Sequence, residues 1–383
     1  MTTLERTYSR EMLAALEPRR GEMVRLLRQL VEFESPSDDK SACDGMAEVL
    51  QKEFAKIGGH GKLHLDKHAG NHLQIDFGGP RGQKPVLIVG HYDTVYPMGT
   101  LKKTPFRENG KKISGPGVLD MKGGIVQIYH AIAVMQELGM TRPVTVILVS
   151  DEEVGSESSR GITERLAAKS CAALVCEPAA GQDGALKTAR KGVGDYLLRV
   201  QGVASHSGLD FEKGQSAVLE MARQIEAVAG FTDLKRGITV NPGVVRGGTR
   251  SNVVAAEAEA EVDVRVATLG DVRRVTKMFA GLKPKNKNCK LMLSGGVNRP
   301  PMERSEGTVE LFRKAQEVAR EIGFEVKERS VGGGSDGNYT APITPTLDGL
   351  GAVGDGAHAT HEFIFVEQLP KRAALLAGLI RAI

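Results

Sequence analysis

The sequence predicts an α/β protein with a mostly parallel β-sheet and a smaller inserted α+β domain. Apolar runs rich in Val and Ile, at residues 85–90, 143–149 and 172–176, are typical of strands buried on both faces of a parallel sheet. From Arg190 onward the pattern changes to shorter alternating segments. Because the chain has 383 residues, more than a single core usually contains, we expect two domains.

The first part of the chain supplies the predicted helices and the first buried strands. Apolar residues at helical intervals predict a helix at residues 22–33, and a second helix is predicted at about 42–57. An apolar segment at 125–138 follows a glycine-rich turn. A short strand pair is predicted at residues 64–67 and 73–77, and the segments 94–98 and 102–112 are predicted to be loops over the sheet edge. The elements up to residue 188 are therefore assigned to the sheet-containing domain.

The middle of the chain has a different order of elements. Strands are predicted at residues 194–200, 238–245, 256–266 and 290–294, with helices at 215–231 and 270–281. The resulting β-α-β-β-α-β order is that of the split ferredoxin-like unit. We therefore predict a small inserted domain at residues 189–298.

After residues 298–301 (NRPP) the first pattern returns. Helices are predicted at 308–322 and 366–383, strands at 324–328 and 345–350, and loops at 332–334 and 351–361. The first domain is therefore predicted to be discontinuous and to comprise residues 1–188 and 299–383.

Composition excludes several classes of protein. The net charge is only +4 and the 51 basic residues are scattered, which gives no support for nucleic-acid binding. The four cysteines form neither a CxxC pair nor a disulfide-dense pattern, so we expect them to be reduced. No apolar run resembles a secretion signal or reaches the roughly 20 residues of a membrane span. We therefore expect a cytoplasmic protein without membrane contact.

Acidic residues follow the predicted buried strands. Asp151, Glu152 and Glu153 come directly after residues 143–149, and Glu177 follows 172–176. His91 and Asp93 follow 85–90 in the same way. Ligands bind at the carboxyl ends of strands in open α/β sheets, so these side chains predict a site. Taken alone, the acidic triplet could equally be the first turn of a helix.

Two further residues complete the predicted cluster. Asp120 lies in the glycine-rich turn at residues 115–124, and His358 lies in the loop at 351–361. Carboxylates gathered in a partly dry place repel one another unless cations lie among them. His, Asp and Glu ligands suit zinc, with cobalt or manganese as substitutes. A pair of metals about 3.5–4 Å apart also needs a bridging carboxylate, and these residues are enough to provide one.

These motifs resemble, in order, the signature of the M20 metallopeptidases, and most closely its glutamate carboxypeptidase branch. The motifs are HYD at 91–93, GPGVLDMKGG at 115–124, DEEVGS at 151–156, CEP at 176–178 and His358. The resemblance covers nearly the whole chain. It implies a zinc-exopeptidase catalytic domain and an inserted dimerisation, or lid, domain.

The resemblance also implies a role for each residue of the cluster. One zinc ion would be held by His91, Asp120 and Glu177, and the other by Asp120, Glu153 and His358. Asp93 would orient His91, and Glu152 would be the general base acting on a metal-bridging water. The family pattern further implies a cis peptide bond after Asp120, where this chain has Met121 in place of a second Asp.

In the inserted domain the resemblance indicates residues that would contact the substrate. His206 would enter the site of a second subunit and hydrogen-bond the oxyanion, so a homodimer is implied. Asn252, Arg265 and Arg299 would bind the carboxylate end of the substrate. Without the family, His206 could be an exposed turn residue and each arginine a surface salt bridge. The implied substrate is a small peptide or N-acyl amino acid, with glutamate as the expected C-terminal residue.

The sequence also bears on three alternative functions. An N-acyl-amino-acid deacylase or a dipeptidase of the same family would share the metal centre. A non-catalytic ligand-binding homologue would be expected to have lost the base or a metal ligand, whereas all of these positions are filled. Phosphoryl transfer would require a glycine-rich loop followed by Lys-Ser or Lys-Thr, and the loop around Asp120 lacks that spacing.

Overall fold

The structure is a computed structural model that describes residues 3–383. Its helices are α1 (Thr3–Leu16), α2 (Arg20–Glu32), α3 (Lys40–Ala55), α4 (Gly123–Glu137), α5 (Arg160–Lys169), α6 (Ala217–Ala229), α7 (Leu269–Ala280), α8 (Glu306–Glu321), α9 (Gly337–Thr340) and α10 (Gln368–Ala382). The chain divides into two compact units. The first contains the residues up to Ala189 together with 304–331 and 335–383, and the second contains 190–303 and 332–334.

The strands of the first unit form a central sheet and smaller ladders. They are β1 (His60–His64), β2 (His72–Phe77), β3 (Val86–His91), β4 (Arg107–Asn109), β5 (Lys112–Ser114), β6 (Val144–Val149), β7 (Ala172–Val175) and β8 (Leu186–Arg190), whose last residue opens the second unit. The second unit continues with β9 (Gly192–Gln201), β10 (Thr239–Gly247), β11 (Glu257–Val266) and β12 (Lys290–Arg299). The first unit ends with β13 (Glu328–Val331), β14 (Thr346–Leu347), β15 (Gly354–Asp355) and β16 (Phe363–Phe365).

The central sheet has the strand order β1-β2-β6-β3-β7-β14. Strand β3 pairs in parallel with both β6 and β7, and β14 pairs in parallel with β7. Strands β1 and β2 extend the sheet by antiparallel pairing. The predicted α/β fold with a mostly parallel sheet is therefore confirmed.

Both faces of this sheet are buried, as the apolar runs predict. In β3, Ile88 packs into the large core that includes side chains of α2, α4 and α10. Its neighbours Leu87 and Val89 point to the other face, where they pack with Ala167 of α5. Alternate residues of a strand face opposite sides, so burial of both sets requires a continuous apolar run.

One hairpin was wrongly predicted as loop. Residues 102–112 contain β4 and part of β5, which pair with each other, and β5 also pairs with β16. Asn109 is the last residue of β4 and pairs with Lys112, so the turn consists of Gly110 and Lys111, and Gly110 has a φ of 59°. A two-residue hairpin turn requires positive φ at its first central residue, which glycine adopts without steric cost. Strand β13 likewise lies a few residues later than the predicted segment 324–328.

The second unit is an antiparallel sheet covered by two helices. Its strand order is β10-β11-β9-β12, and all three pairings are antiparallel. The order of elements along the chain is β9-α6-β10-β11-α7-β12, which confirms the predicted ferredoxin-like arrangement. Its core includes Tyr196 of β9 stacked on Phe279 of α7, with ring centroids 3.8 Å apart.

None of the helices in the described part of the chain is long and apolar enough to cross a membrane.

Candidate metal centre

Three adjacent parallel strands bring their carboxyl ends to one edge of the central sheet. His91 is the last residue of β3, the acidic triplet begins two residues after β6, and Glu177 follows two residues after β7. Because β3 lies between β6 and β7, these side chains meet around His91. His91 itself is fully buried, with a side-chain exposure of 1%.

Asp120 lies at the centre of the cluster. It belongs to a short irregular helical segment, Val118–Lys122, that precedes α4, and its peptide bond to Met121 is cis, as the family resemblance implies. One carboxylate oxygen, Oδ1, lies 3.1 Å from His91 Nε2. The other, Oδ2, lies 3.4 Å from His358 Nε2. The two oxygens of one carboxylate thus face two different imidazoles.

Each imidazole also contacts a second carboxylate. His91 Nε2 lies 3.4 Å from Glu177 Oε1, and His358 Nε2 lies 3.0 Å from Glu153 Oε2. The remaining Glu153 oxygen, Oε1, is buried and has no hydrogen-bond partner among the described residues. His358 has a φ of 63°, in the left-handed region that few residues with a side chain adopt.

Among the described residues there are two groups of three side chains in which each residue offers one donor atom, and the donor atoms of a group lie within 4.8 Å of one another. One group consists of His91, Asp120 and Glu153, and the other of His91, Glu152 and Glu177. Glu152 is therefore next to the ligand set predicted for the first zinc ion. One of its carboxylate oxygens lies within 4.8 Å of a His91 ring nitrogen and of a Glu177 carboxylate oxygen.

Asp93 contacts two parts of the cluster through its backbone carbonyl and its carboxylate. The Nδ1 atom of His91 lies 3.1 Å from the backbone carbonyl of Asp93 and 3.4 Å from its carboxylate. The same carboxylate accepts hydrogen bonds from the backbone N–H groups of Glu152 and Glu153, at 3.3 and 3.2 Å. Asp93 thus contacts both the first imidazole and the backbone that carries the acids.

The electrostatics of the cluster favour positive charge among its carboxylates. Hydrogen bonds to Asp120 and Glu153 raise the pKa of His358 to about 10. Burial alone would lower the pKa of His91, but hydrogen bonds to the surrounding carboxylates raise it well above its usual value. Burial raises the pKa of Glu153. Closely packed carboxylates favour any nearby cation, whether a protonated imidazole or a metal ion.

The donor set fits a pair of metal ions. It combines imidazole nitrogens with carboxylate oxygens and contains no thiolate among the described neighbours, a set suited to zinc, cobalt or manganese. Asp120 contacts both imidazoles, one with each of its carboxylate oxygens. The buried Glu153 Oε1 without a partner is a further acceptor that a cation would satisfy.

Asp151, the first acid of the triplet, faces away from this cluster. Its Oδ2 accepts hydrogen bonds from the backbone N–H and the hydroxyl of Ser158, at 2.8 and 2.7 Å. A longer contact of 3.3 Å comes from the N–H of Ser159, next to the first turn of α5. Asp151 therefore fixes the loop between β6 and α5, while the next two acids face the imidazoles.

The other predicted residues belong to the second unit. His206 is exposed, and its Nδ1 accepts hydrogen bonds from the N–H groups of Gly208 and Leu209, at 3.1 and 3.2 Å. In a neutral ring, this arrangement leaves the proton on Nε2. Asn252 is also exposed, and its backbone carbonyl accepts a hydrogen bond from Ser207.

The two arginines of the second unit differ in environment. Arg265 forms a two-point ion pair with Asp263 on the same strand, with Nη2–Oδ2 and Nε–Oδ1 distances of 2.7 and 3.0 Å. Arg299, the last residue of β12, is buried at 6% exposure.

Glu362 and Tyr96 were not predicted as site residues, although Glu362 binds the backbone of the Asp120 loop and Tyr96 contacts Glu362. Glu362 is 2% exposed and accepts hydrogen bonds from three backbone N–H groups of that loop. Tyr96 lies within hydrogen-bonding distance of the Glu362 carboxylate. A charged residue in a predicted loop is normally exposed, so the only local signal was its position four residues after His358.

A sheet edge that gathers histidines and carboxylates in this way is typical of metal-dependent hydrolases. The sequence model of peptidase family M20/M25/M40 matches residues 87–382 of this chain. The chain therefore belongs to this family of metallopeptidases.

Known relatives agree with this assignment. Carboxypeptidase G2 from Pseudomonas sp. (strain RS-16) is 29% identical, over 99% of this chain and 93% of its own. The structure of aminopeptidase PepT from Bacillus cereus is similar with a TM-score of 0.77 and 23% identity, covering 94% of this chain and 98% of that one. YxeP from Bacillus subtilis, a dinuclear metal-binding peptidase of the M20 family, gives a TM-score of 0.68 at 14% identity, over 96% and 98% of the two chains. At these identities, the two structures show a shared fold.

Proposed function

We propose that the protein is a two-metal exopeptidase that hydrolyses the amide bond to a C-terminal amino acid, with glutamate as the expected residue. The observation that carries this proposal is the position of Asp120, whose two oxygens lie 3.1 and 3.4 Å from the Nε2 atoms of His91 and His358. A carboxylate between two imidazoles is the arrangement that a bridging ligand requires.

The proposed ligand sets are those that the family motifs imply, and the contacts of the two imidazoles support them. His91, Asp120 and Glu177 would hold one zinc ion, and Asp120, Glu153 and His358 would hold the other, with cobalt or manganese as substitutes. The dinuclear character of YxeP supports a pair of metals. When bound, the metals would polarise the scissile carbonyl and lower the pKa of water.

Glu152 is the proposed general base. It would take a proton from the attacking water and pass it to the leaving amine, which requires a carboxylate beside the cluster. Its place next to His91 and Glu177 supports this role. Asp93 would hold the His91 ring in one orientation, because its carbonyl and carboxylate both face Nδ1.

The second unit would supply the remaining contacts to the substrate. We propose that His206 of one copy of the chain donates its Nε2 proton to the oxyanion in the site of a second copy, so the active form would be a homodimer. The backbone hydrogen bonds to Nδ1 support the required tautomer. Asn252, Arg265 and Arg299 would bind the substrate carboxylate, since arginine forks suit carboxylates.

The preference for glutamate rests on the likeness to carboxypeptidase G2 and on these arginines.

The proposed function is tested by measuring product release from a panel of N-acyl amino acids and dipeptides with varied C-terminal residues, using zinc-loaded protein and a chelated control. Chelator-sensitive release of glutamate from N-acyl-glutamate substrates is the expected result. Hydrolysis limited to other acyl amino acids or to dipeptides would instead assign a deacylase or dipeptidase of the same family. No hydrolysis of any substrate by protein that carries metal would favour a ligand-binding homologue.

A further inference from the structure

The carboxylate of Glu362 binds the backbone of the loop that carries Asp120. Its Oε1 accepts hydrogen bonds from the N–H groups of Leu119 and Asp120, at 2.7 and 2.9 Å. Its Oε2 accepts one from the N–H of Gly117, at 2.9 Å. A buried carboxylate needs several donors of this kind. Here the donors come almost entirely from one short segment, which is thereby fixed against Glu362.

A phenol joins a third segment to the same carboxylate. The hydroxyl of Tyr96 lies 2.7 Å from Glu362 Oε2 and 2.9 Å from the backbone carbonyl of Ala359. Its single proton can be donated to either oxygen. Tyr96 follows closely after His91 and Asp93 in the sequence, so this contact connects the segment after β3 with the loop that carries His358.

The strand ladder places these segments side by side. Strand β5 leads into the Asp120 loop, strand β16 follows the His358 loop, and Ser114 of β5 pairs with Phe363 of β16. The N–H of Gly115 continues this ladder by donating to the carbonyl of Glu362 at 3.4 Å. The N–H of Glu362 in turn donates to the carbonyl of Ala359 at 3.0 Å. Glu362 is therefore attached through both backbone and side chain.

We propose that Glu362, assisted by Tyr96, is a positioning residue that fixes the Asp120 loop relative to the His358 loop. It would thereby set the distance between Asp120 and His358, and with it the spacing of the two metals. The inference rests on the proposed function, because it takes both residues as metal ligands. Residues that orient ligands without touching the metal commonly affect affinity about 10–100-fold.

Replacement of Glu362 by Gln tests the carboxylate with almost no change in volume. An ionised carboxylate only accepts hydrogen bonds, whereas an amide places an NH₂ group where one oxygen accepts. One of the two oxygens faces donors from Leu119 and Asp120 and the other a donor from Gly117. Either orientation of the amide would therefore set N–H groups against each other. Tyr96→Phe is a milder second variant that removes one hydroxyl.

The experiment compares wild type, Glu362→Gln, Tyr96→Phe and the control Glu325→Gln, which changes an exposed glutamate of the same unit. Zinc affinity is measured by competition with a chromogenic chelator, and the cobalt-substituted proteins are compared by visible absorption. We expect Glu362→Gln to bind zinc about 10–100-fold more weakly and to change the cobalt spectrum. Tyr96→Phe should weaken zinc binding and change the cobalt spectrum in the same direction but by less. Glu325→Gln should match wild type in both measurements.

These readouts separate a positioning role from a general effect on folding. Unchanged zinc affinity and cobalt spectra in Glu362→Gln and Tyr96→Phe would overturn the inference, even if stability fell. If Glu362→Gln does not fold, Tyr96→Phe decides by the same two measurements. A wild-type protein that binds no metal would overturn the proposed function itself. Wild type that binds two metals beside an unaffected Glu362→Gln would overturn only the positioning role.

Discussion

His358 Nε2 lies 3.0 Å from Glu153 Oε2, although one residue belongs to a late loop and the other follows a central strand. The same nitrogen lies 3.4 Å from Asp120. His361, three residues further along that loop, is exposed. The His358 side chain is itself 51% exposed, so the two histidines differ in their contacts: of the two, His358 is the one that contacts the carboxylate cluster.

This difference makes the two histidines a matched pair. His358→Ala should reduce the bound zinc from about two ions per chain to about one and abolish most of the hydrolytic activity, because one ligand of the second metal is lost. His361→Ala should keep both metals and the activity. Metal content by mass spectrometry and the kcat of each variant check this. Two retained zinc ions in His358→Ala would remove His358 from the ligand set.

Glu152 and Glu153 are adjacent in sequence but are expected to respond differently to the same change. Glu152→Gln should lower kcat by about 10²–10⁴-fold with metal content unchanged, which is the effect of losing a general base. Glu153→Gln should lose metal, because Glu153 contacts His358 directly. Kinetics and metal analysis of the two variants are compared side by side. Loss of metal from Glu152→Gln would make Glu152 a ligand, as its place beside His91 and Glu177 allows.

The sequence predicted the sheet and one edge of it well for a physical reason. Residues that follow parallel buried strands must meet at one edge, so the proximity of His91, Glu153 and Glu177 follows from strand order alone. Asp120 and His358 lie outside the strands. Their positions in a glycine-rich turn and a late loop made them candidates, and the ordered family motifs then implied their roles as ligands. Their contacts with the strand-end residues depend on how two loops fold over the sheet, which local pattern does not specify.

Glu362 shows what local sequence could not indicate. It follows Thr360 and His361, which are both exposed, and in the sequence it resembles any charged surface residue. Its burial depends on the backbone donors of a segment far away in the sequence. The hairpin of β4 and β5 is a different case, because the glycine at its turn, Gly110, is a local signal that the sequence does contain.

The ion pair between Arg265 and Asp263 leads to a prediction about substrate binding. If Arg265 binds the substrate carboxylate, Asp263 competes for the same guanidinium. Arg265→Ala should then raise the KM for glutamate substrates roughly tenfold, and Asp263→Asn should lower it. Arg199→Ala is the control, because Arg199 pairs with Glu259 on the exposed part of the same sheet. Steady-state kinetics on one N-acyl-glutamate decide, and a KM unchanged by Arg265→Ala would leave the pair a purely structural contact.

His130 of α4 predicts how stability changes in mild acid. The residue is 4% exposed, and neither ring nitrogen has a hydrogen-bond partner among the described residues. Burial lowers the pKa of His130 to about 4. The charge of Arg19 also lowers this pKa, whereas the charge of Glu137 raises it. The unfolded chain, with a usual value near 6.5, binds the proton first. The stability that the neutral ring contributes is therefore complete above pH 6.5 and is lost as the pH falls toward 4. The free energy of unfolding should fall by about 2 kcal/mol between pH 7 and 5.

Urea unfolding of wild type and His130→Leu at these two pH values should show a smaller loss of stability in the variant. The control His60→Gln, which changes an exposed histidine, should behave as wild type. An equal loss in wild type and His130→Leu would show that other groups cause the acid sensitivity.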